Sequence, residues 1–562
     1  MVPNLDLRRH KRVRLTRVLF TFLCAAALHA QITPGPQVVT FLSDVDNTDQ
    51  PYGLYIPRKF DPAKRYPLVI SLHGADSNHR LNLRRVFGQG NRPAESDVEA
   101  TRHFPRFHDV EYIVASPLAR GTMGYQGIAE KDVYDVLADV KRRFRIDEDR
   151  IYLTGLSMGG GGTLWLGLTR PDLWAAIAPV CPAPPNGIEP LAGNALNIPV
   201  KLFQGALDPV VKVEDTRRWR EDLSAAGVNV DYVEYATVRH NAWDFAYKEA
   251  SIFDWFSTLK RNVHPARVNF TTREYRYRQA YWVQLDKLTP GSFNSIDARF
   301  TAKNKLTIVT KNLDGFTITL KSHPMFAPSL PVTVIVDGAT ISVKPAATIS
   351  LSKAANRWTT KRSVFAPGEK QPGAEGPISA VTAARHIYVY GTADSPSNEE
   401  LLRRQHEATV AATWSTTKRP LMATFPVLSD AEVKQSDLTT ANLVLFGSRD
   451  TNAVIAKLAP KLPLRLNAGA ADYGMVYVWP TTAGHYALIN SGLPWWTRAD
   501  QARRAGLPFI PDAYLILNTF PDFVIFKGGL DDVVAEGYFD SHWHLPAAAR
   551  SKIEATGAIE LR

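Results

Sequence analysis

Cysteine is almost absent from this chain, which has two cysteines among 562 residues. One of them, Cys24, lies in an amino-terminal segment that we expect to be removed, so the remaining chain cannot form an intrachain disulfide. The other, Cys181, ends the apolar run 174–180 and is predicted to be a buried thiol rather than a nucleophile. A disulfide-stabilised fold is therefore excluded. The hydrophobic content of 45% is ample for buried cores, and the length predicts about three domains.

The chain also lacks an apolar run long enough to cross a membrane. Its amino end has a basic segment with six Lys and Arg residues between positions 8 and 17, followed by a short apolar run over 18–28. With small residues at Ala27 and Ala30 as cleavage positions, this pattern is typical of a secretory signal peptide. Cys24 has no small residue before it, which disfavours a lipid anchor. We predict a signal peptide over residues 1–30 and a secreted or periplasmic protein with no stable membrane anchor after cleavage.

A large excess of one charge is missing from the rest of the chain. Lys and Arg number 66 against 55 Asp and Glu, a formal net charge of +11, and the predicted signal peptide holds six of the basic residues. No basic block remains that would indicate nucleic acid as a partner. His542 and His544 have a spacing that a metal can use, but no third ligand lies near them in the sequence. We therefore predict neither a metal site nor a cofactor.

The most informative motif is Gly-Leu-Ser-Met-Gly at 155–159. The run 150–154 before it is apolar and β-prone, and the stretch 160–166 after it reads as a helix that begins with glycines. A strand, a sharp turn and a helix are the context in which G-x-S-x-G forms a nucleophile elbow. The flanking glycines permit the tight turn, and Ser157 would lie exposed at its tip. We predict that Ser157 is a catalytic nucleophile.

Candidate partners for Ser157 follow in the order of acid and then histidine, which this fold uses. Asp208 follows a predicted strand over 198–205, and His240 follows the predicted strand 230–235. In the catalytic reading, His240 takes the proton of Ser157 and Asp208 orients the imidazole. Taken alone, Asp208 is equally consistent with a turn acid before proline, and His240 with a surface histidine. Their order and loop positions together favour catalysis.

Two backbone N–H groups are candidates for an oxyanion hole. One belongs to Met158, directly after the nucleophile, and the other to Ala75, in the loop after the predicted strand 66–72. The alternative for that loop is an ordinary turn at the end of a strand. Tyr125 and Trp243 are candidates for lining a substrate pocket, although both residue types more often serve only in packing.

Four stretches carry a family resemblance: 73–74, 155–160, 205–208 and 240–244. They resemble secreted bacterial α/β-hydrolases of the feruloyl-esterase and polyhydroxybutyrate-depolymerase-like group, whose relatives are often labelled peptidases of the prolyl oligopeptidase group. The resemblance covers about residues 36–262 and implies the fold and the triad, but not the substrate. One departure is Arg239, which stands where a glycine often precedes the catalytic histidine. It would narrow the site or place a cation beside it.

The pattern of elements predicts an α/β fold in three parts. Residues 31–262 alternate strands with helices, including a crossover helix over 129–145, and are predicted to be an α/β-hydrolase domain. Residues 263–362 alternate with period two and predict an immunoglobulin-like antiparallel β-sandwich. A Pro/Gly-rich linker over 363–377 leads to a second, non-catalytic α/β domain over 378–562. In that domain we predict the apolar runs 514–517 and 523–526 to be strands.

We therefore expect an exported serine hydrolase that cleaves carboxylic esters through an acyl-enzyme and needs no cofactor. The resemblance implies feruloyl, acetyl or short-chain acyl esters, with plant-polysaccharide-linked and polymeric substrates among the candidates. A serine peptidase of the prolyl oligopeptidase type remains open, because it would use the same elbow and oxyanion hole. A carbohydrate-binding or scaffold protein with a vestigial hydrolase fold is a further alternative.

Overall fold

The structure is a computed structural model that describes residues 33–481, 484–502 and 512–562. The predicted signal peptide lies outside these residues. Within them, the chain forms an eight-stranded sheet, two five-stranded sheets, a seven-stranded sheet and a two-stranded pair. A search of the same residues finds no helix with the length and apolar character needed to span a bilayer.

The first sheet combines an antiparallel edge with a parallel body. Its order is β1-β2-β4-β3-β5-β6-β7-β8, with β1, β2 and β4 paired antiparallel and the later pairs parallel. All seven residues of β3 are buried, as expected for a strand covered on both faces. The strands are β1 (Gly35–Ser43), β2 (Thr48–Ile56), β3 (Tyr66–Leu72), β4 (Ile113–Pro117), β5 (Ile146–Leu156), β6 (Ala176–Val180), β7 (Val200–Gly205) and β8 (Val230–Tyr235).

Helices connect these strands and cover the sheet. The predicted crossover helix is α3, whose valines at 133, 136 and 140 are buried on one face. The helix α4 begins at Met158, directly after the candidate nucleophile. The helices are α1 (His79–Val86), α2 (Asp97–Ala100), α3 (Ile128–Arg143), α4 (Met158–Thr169), α5 (Val213–Ala225), α6 (Trp243–Ala246) and α7 (Ser251–Ser257). The predicted α/β-hydrolase fold class is confirmed.

The next part is a β-sandwich of two five-stranded sheets, ordered β10-β11-β14-β17-β18 and β16-β15-β13-β12-β9. Every described pair is antiparallel except β13 and β15. Because β14 lies in the other sheet, the chain returns beside β13 in the same direction. The strands are β9 (Arg267–Thr272), β10 (Gln279–Ala280), β11 (Val283–Leu288), β12 (Asn294–Ala302), β13 (Lys305–Lys311), β14 (Leu313–Thr319), β15 (Val332–Val336), β16 (Ala339–Val343), β17 (Thr348–Ala354) and β18 (Arg357–Thr359).

The last part is α/β with a mixed seven-stranded sheet, ordered β20-β19-β21-β24-β23-β25-β26, beside a β22–β27 pair. Its strands are β19 (His386–Tyr390), β20 (Val427–Ser429), β21 (Asn442–Phe446), β22 (Leu464–Leu466), β23 (Tyr473–Pro480), β24 (Tyr486–Gly492), β25 (Phe523–Lys527), β26 (Val533–Gly537) and β27 (Ile559–Leu561). Its helices are α8 (Ser379–Thr382), α9 (Asn398–Ala412), α10 (Gln435–Thr440), α11 (Ala453–Leu458), α12 (Ala513–Leu517) and α13 (Ala547–Glu554). The prediction of a strand over 514–517 is wrong: these residues form α12, because a four-residue apolar run does not distinguish a strand from a short buried helix.

The Pro/Gly-rich segment 363–377 packs against both of its neighbours. Glu369 and Lys370 are each only 3% exposed. Glu369 pairs with Lys287 of the β-sandwich at 2.8 Å, and Lys370 forms an ion pair with Asp522 of the last part. The middle of the segment is therefore held to both neighbouring parts rather than forming an exposed tether.

Candidate active site

The sharp turn between β5 and α4 holds Ser157 at φ 56° and ψ −118°, a strained backbone conformation for a residue with a side chain. Glycines around it permit close packing of the turn. A Cβ on Gly159 would lie 2.2 Å from the carbonyl oxygen of Leu72, and a Cβ on Gly161 would lie 1.9 Å from that of Ala183. Any side chain at these two positions would push α4 away from the sheet. The sequence 155–161 therefore forms a strained elbow with the Ser157 hydroxyl at its tip.

His240 lies between the two other predicted catalytic side chains. Its Nδ1 is 2.8 Å from Asp208 Oδ2, and its Nε2 is 2.9 Å from Ser157 Oγ. A carboxylate only accepts hydrogen bonds, so Nδ1 must carry the proton of a neutral imidazole and Nε2 must be the acceptor for the serine hydroxyl. This is the tautomer that a general base beside a nucleophile requires.

The Asp208 carboxylate is held by several donors besides His240. Its Oδ1 accepts from the backbone N–H groups of Val210 at 2.8 Å and Val211 at 3.0 Å. Its Oδ2 also accepts from Gln204 Nε2 at 3.2 Å, and Gln204 is itself anchored by the Thr216 hydroxyl at 2.9 Å. Gln204 is a functional candidate that the sequence reasoning missed. Its signal was a polar side chain directly before the glycine that ends strand β7.

The two predicted oxyanion donors lie beside the nucleophile. Gly74 precedes Ala75, and a Cβ on Gly74 would be 3.4 Å from Ser157 Cβ. Met158 is the first residue of α4, so its N–H has no acceptor within the helix. Among the described residues, neither the Ala75 nor the Met158 N–H donates to a protein acceptor.

Side chains brace the loop that carries Ala75. The N–H of the next residue, Asp76, donates to the Thr122 hydroxyl at 2.8 Å. The ring nitrogens of buried His73 lie 2.7 Å from the Gly74 oxygen and 2.8 Å from the Leu118 oxygen. Burial lowers the pKa of His73, and a neutral imidazole has one N–H for these two carbonyls. His73 thus joins the ends of β3 and β4 rather than facing the substrate.

The structure places Tyr125 in the core beneath the site. Its side chain is 3% exposed, and its hydroxyl donates to the carbonyl oxygen of His73 at 3.0 Å. The ring also packs on α4, since a Cβ on Gly162 would lie 2.5 Å from it. This position supports the elbow from below and leaves little of the ring for a substrate.

Trp243 lies directly against the candidate base. Its ring is edge-on to the His240 ring, with centroids 5.3 Å apart, and the Arg85 guanidinium lies over its face at 5.2 Å. Trp243 as a whole residue is partly buried. Arg239, which was expected to narrow the site or add a cation, is exposed.

Cys181, which the sequence predicts to be a buried thiol, lies beside Asp208 and His240. It is fully buried, with φ 37°, and its Sγ lies 3.5 Å from the carbonyl oxygen of His240. Its sulfur, an oxygen of Asp208 and a ring nitrogen of His240 all lie within 4.8 Å of one another. The proximity arises because β6, β7 and β8 are adjacent in the sheet and end at the same edge.

Comparison with known families gives one match. Residues 43–239 match the sequence model of the family described as Esterase. The matched range contains Ser157 and Asp208 and ends one residue before His240. The β-sandwich and the last α/β part lie outside the match.

Solved structures with similarity to the chain include several esterases. A thermostable esterase is 26% identical over 40% of this chain, with a TM-score of 0.31, and the chain spans 63% of its length. A ferulic acid esterase is 18% identical over 40% of this chain and 98% of its own, with a TM-score of 0.32. A ferulic acid esterase from Anaeromyces mucronatus is 18% identical over 41% of this chain and 92% of its own, with a TM-score of 0.31. Residues 43–239 are thus similar to the esterase family, and they lie within the α/β domain that the β-sandwich and the last α/β part follow.

Proposed function

We propose that the protein is a serine hydrolase that cleaves carboxylic esters with Ser157, His240 and Asp208. The observation that carries this proposal is the position of His240, with Asp208 at 2.8 Å and Ser157 at 2.9 Å on its two nitrogens. The imidazole can remove the serine proton as Oγ attacks the ester carbonyl, and the buried carboxylate stabilises the imidazolium that forms. The family match independently supports esterase chemistry in this domain.

The mechanism continues through an acyl-enzyme. The N–H groups of Ala75 and Met158 would hold the oxygen that becomes negative in the tetrahedral intermediate. His240 then protonates the leaving alcohol, and the acyl group stays on Ser157. Water enters and attacks the acyl carbon as His240 removes its proton, and the same oxyanion donors stabilise the second intermediate. The bond from the acyl carbon to Ser157 Oγ then breaks, the acid leaves, and His240 returns the proton to Ser157. No step draws on a group outside the chain apart from the ester and water.

The substrate part of the proposal is an aryl or short-chain acyl ester. The sequence resemblance implies such esters, including feruloyl and acetyl esters, and the partly buried Trp243 supplies an aromatic ring next to His240. From the predicted signal peptide we further propose that the enzyme acts outside the cytoplasm. Polymer-linked esters outside the cell fit that location.

The proposal is tested by replacing the nucleophile. Ser157→Ala should lower kcat on p-nitrophenyl acetate and methyl ferulate at least about a thousandfold, because triad members act as a unit. It should also abolish covalent labelling by a fluorophosphonate. The matched control is Ser448→Ala: Ser448 likewise follows a parallel strand, β21, but its hydroxyl accepts from the Asp450 N–H at 3.2 Å. This control should keep full activity and labelling.

Two results would contradict the proposal. Activity of Ser157→Ala within tenfold of the unmodified enzyme would remove Ser157 from the mechanism. Cleavage of peptide anilides with a kcat/KM comparable to that of matched esters would instead indicate a peptidase. Circular dichroism of both variants excludes misfolding as the cause of a loss.

A further inference from the structure

We propose that Cys181, Asp208 and His240 form a site for a soft divalent cation of the zinc–cadmium class. A cation bound there would switch the hydrolase off by locking His240 in the wrong tautomer. The inhibitory effect rests on the proposed function, whereas the binding itself does not. No part of the catalytic mechanism uses Cys181.

The ligand atoms already lie close together. Sγ of Cys181, a carboxylate oxygen of Asp208 and a ring nitrogen of His240 are within 4.8 Å of one another. Thiolate, imidazole and carboxylate are the side chains that Zn²⁺ prefers, commonly three of them with a water as the fourth ligand. At metal–ligand distances of about 2.0–2.3 Å, the ligand atoms of a tetrahedral site lie roughly 3–4 Å apart. Small movements of these side chains would therefore bring all three ligand atoms to bonding distance from one cation.

The surroundings favour a soft cation over a hard one. The side chain of Asp208 is buried and that of His240 is 21% exposed, so a cation can reach the site past the imidazole. Cys181 is fixed beneath it by a backbone hydrogen bond from its N–H to the Phe203 oxygen at 2.7 Å. Hard cations such as Mg²⁺ prefer several oxygen ligands and keep their water, which one carboxylate in a buried pocket does not offer. Sulfur and nitrogen ligands select zinc-like ions.

Binding of a cation releases one proton from the site and moves a second one. Without a cation, the Cys181 thiol donates its proton towards the His240 carbonyl oxygen at 3.5 Å, and the His240 ring donates from Nδ1 to Asp208. Binding forms bonds from the metal to Sγ, to Nδ1 and to an oxygen of Asp208. The thiol proton leaves to solvent, and the ring proton moves from Nδ1 to Nε2. Nε2 then donates a hydrogen bond to Ser157 and cannot accept its proton, so attack on the ester stops.

The test uses the full chain and Cd²⁺ with two readouts. One is hydrolysis of p-nitrophenyl acetate, and the other is the ultraviolet thiolate-to-cadmium charge-transfer absorption, which reports Cys181 bonding without any need for activity. We expect the absorption to saturate at one Cd²⁺ per chain, activity to fall in parallel, and EDTA to reverse both. In Cys181→Ser the absorption should vanish, and the half-inhibitory Cd²⁺ concentration should rise at least about tenfold. Mg²⁺ is the matched control and should have no effect.

The contrary results distinguish a failure of the metal site from a failure of the tautomer lock or of the proposed function. Equal inhibition of Cys181→Ser and the unmodified enzyme, or absence of the absorption, would overturn the site. Absorption without inhibition would overturn the tautomer lock. Absence of hydrolysis before any Cd²⁺ is added would contradict the proposed function, and the absorption would still test the binding. Cys181→Ala serves as a second variant should the serine variant fail to fold.

Discussion

Gln204 holds Asp208 in the position from which it orients His240. Its Nε2 lies 3.2 Å from Asp208 Oδ2 and 2.9 Å from the Val211 carbonyl oxygen, and its side chain is fully buried. One amide group therefore joins the Asp208 carboxylate to the loop that follows it. Because Gln204 touches no position open to substrate, its contribution should appear in catalysis and not in binding.

Gln204→Leu should lower kcat on esters with little change in KM. Residues that orient a functional ligand are commonly worth about 10–100-fold in activity at metal sites, and we expect a loss of about tenfold here. Steady-state kinetics with p-nitrophenyl acetate would measure it. Thr216→Val is the control, since it removes only the hydroxyl that donates to Gln204, and its kcat should stay within about threefold. An unchanged kcat in Gln204→Leu would show that the two N–H donors hold Asp208 unaided.

At the scale of elements, the start of helix α4 determines the shape of the site. The first turn of α4 packs against the segment after β6, where the Ala183 N–H donates to the Ser157 carbonyl oxygen at 3.1 Å. Glycine at 161 is what permits this approach. The helix therefore places the nucleophile and the Met158 N–H together, and any displacement of its first turn moves both.

Gly161→Ala should damage stability and activity together. The new Cβ would lie 1.9 Å from the Ala183 carbonyl oxygen, a backbone atom that cannot rotate away. Overpacking of this kind costs about 1–3 kcal/mol, and kcat should fall because the displaced segment is bonded to Ser157. Urea denaturation and ester kinetics measure the two effects. Gly469→Ala is the control. A Cβ at that position would have no atom within 4 Å, and its φ lies outside the positive range that disfavours a side chain.

At the scale of the whole molecule, the three parts make buried contacts with one another. The buried Arg120 of the first part pairs with Asp46 and Asp132 and donates to the Met422 carbonyl oxygen of the last part at 2.9 Å. The β-sandwich contributes Tyr277, which is 5% exposed, to the apolar core of the hydrolase domain. The later domains therefore support the loops and helices that carry the site.

Tyr277→Phe should lower the free energy of unfolding by about 1–3 kcal/mol. The Tyr277 hydroxyl donates to the buried carboxylate of Glu130 at 2.6 Å, and Glu130 also accepts from Trp165 of α4 at 2.9 Å. Removing one donor leaves a buried charge less satisfied. Tyr281→Phe is the matched control, because that hydroxyl donates to a neutral backbone oxygen of Pro171 at 3.0 Å. Equal losses in both variants, measured by urea denaturation, would contradict the role of Glu130.

The stability of the full chain should depend on pH through Glu375. Burial, and then the neighbouring Glu274, raise the pKa of Glu375 from 4.5 to about 8. Between these values the folded state holds a proton that the unfolded state has lost, so stability falls as pH rises from about 4.5 to about 8. Glu375→Gln should remove this slope, and urea denaturation at pH 5 and pH 8 would measure the change. A slope that persists in the variant would assign the dependence to other groups.

Much of the hydrolase domain was predictable from the chain alone. The strand before 155–159 and the glycines after it predicted the elbow, because a tight strand-to-helix turn needs residues without side chains. Asp208 and His240 each follow one of two successive strands. Because parallel strands end at one edge of a sheet, these positions predicted that the two side chains lie close together. Residues 514–517 were not predictable in the same way, because short apolar runs fit a strand and a buried helix alike.

The sequence by itself therefore determined the element types of the first domain and the order of its candidate catalytic residues, because both depend on local spacing. Only the tertiary structure decided which residues surround them. Gln204 and Cys181 lie beside Asp208 and His240 because β6, β7 and β8 are neighbours in the sheet, and Tyr125 lies in the core. Contacts such as that of Tyr277 with Glu130 join residues far apart in the chain, and no local pattern records which distant side chain will fill a given space.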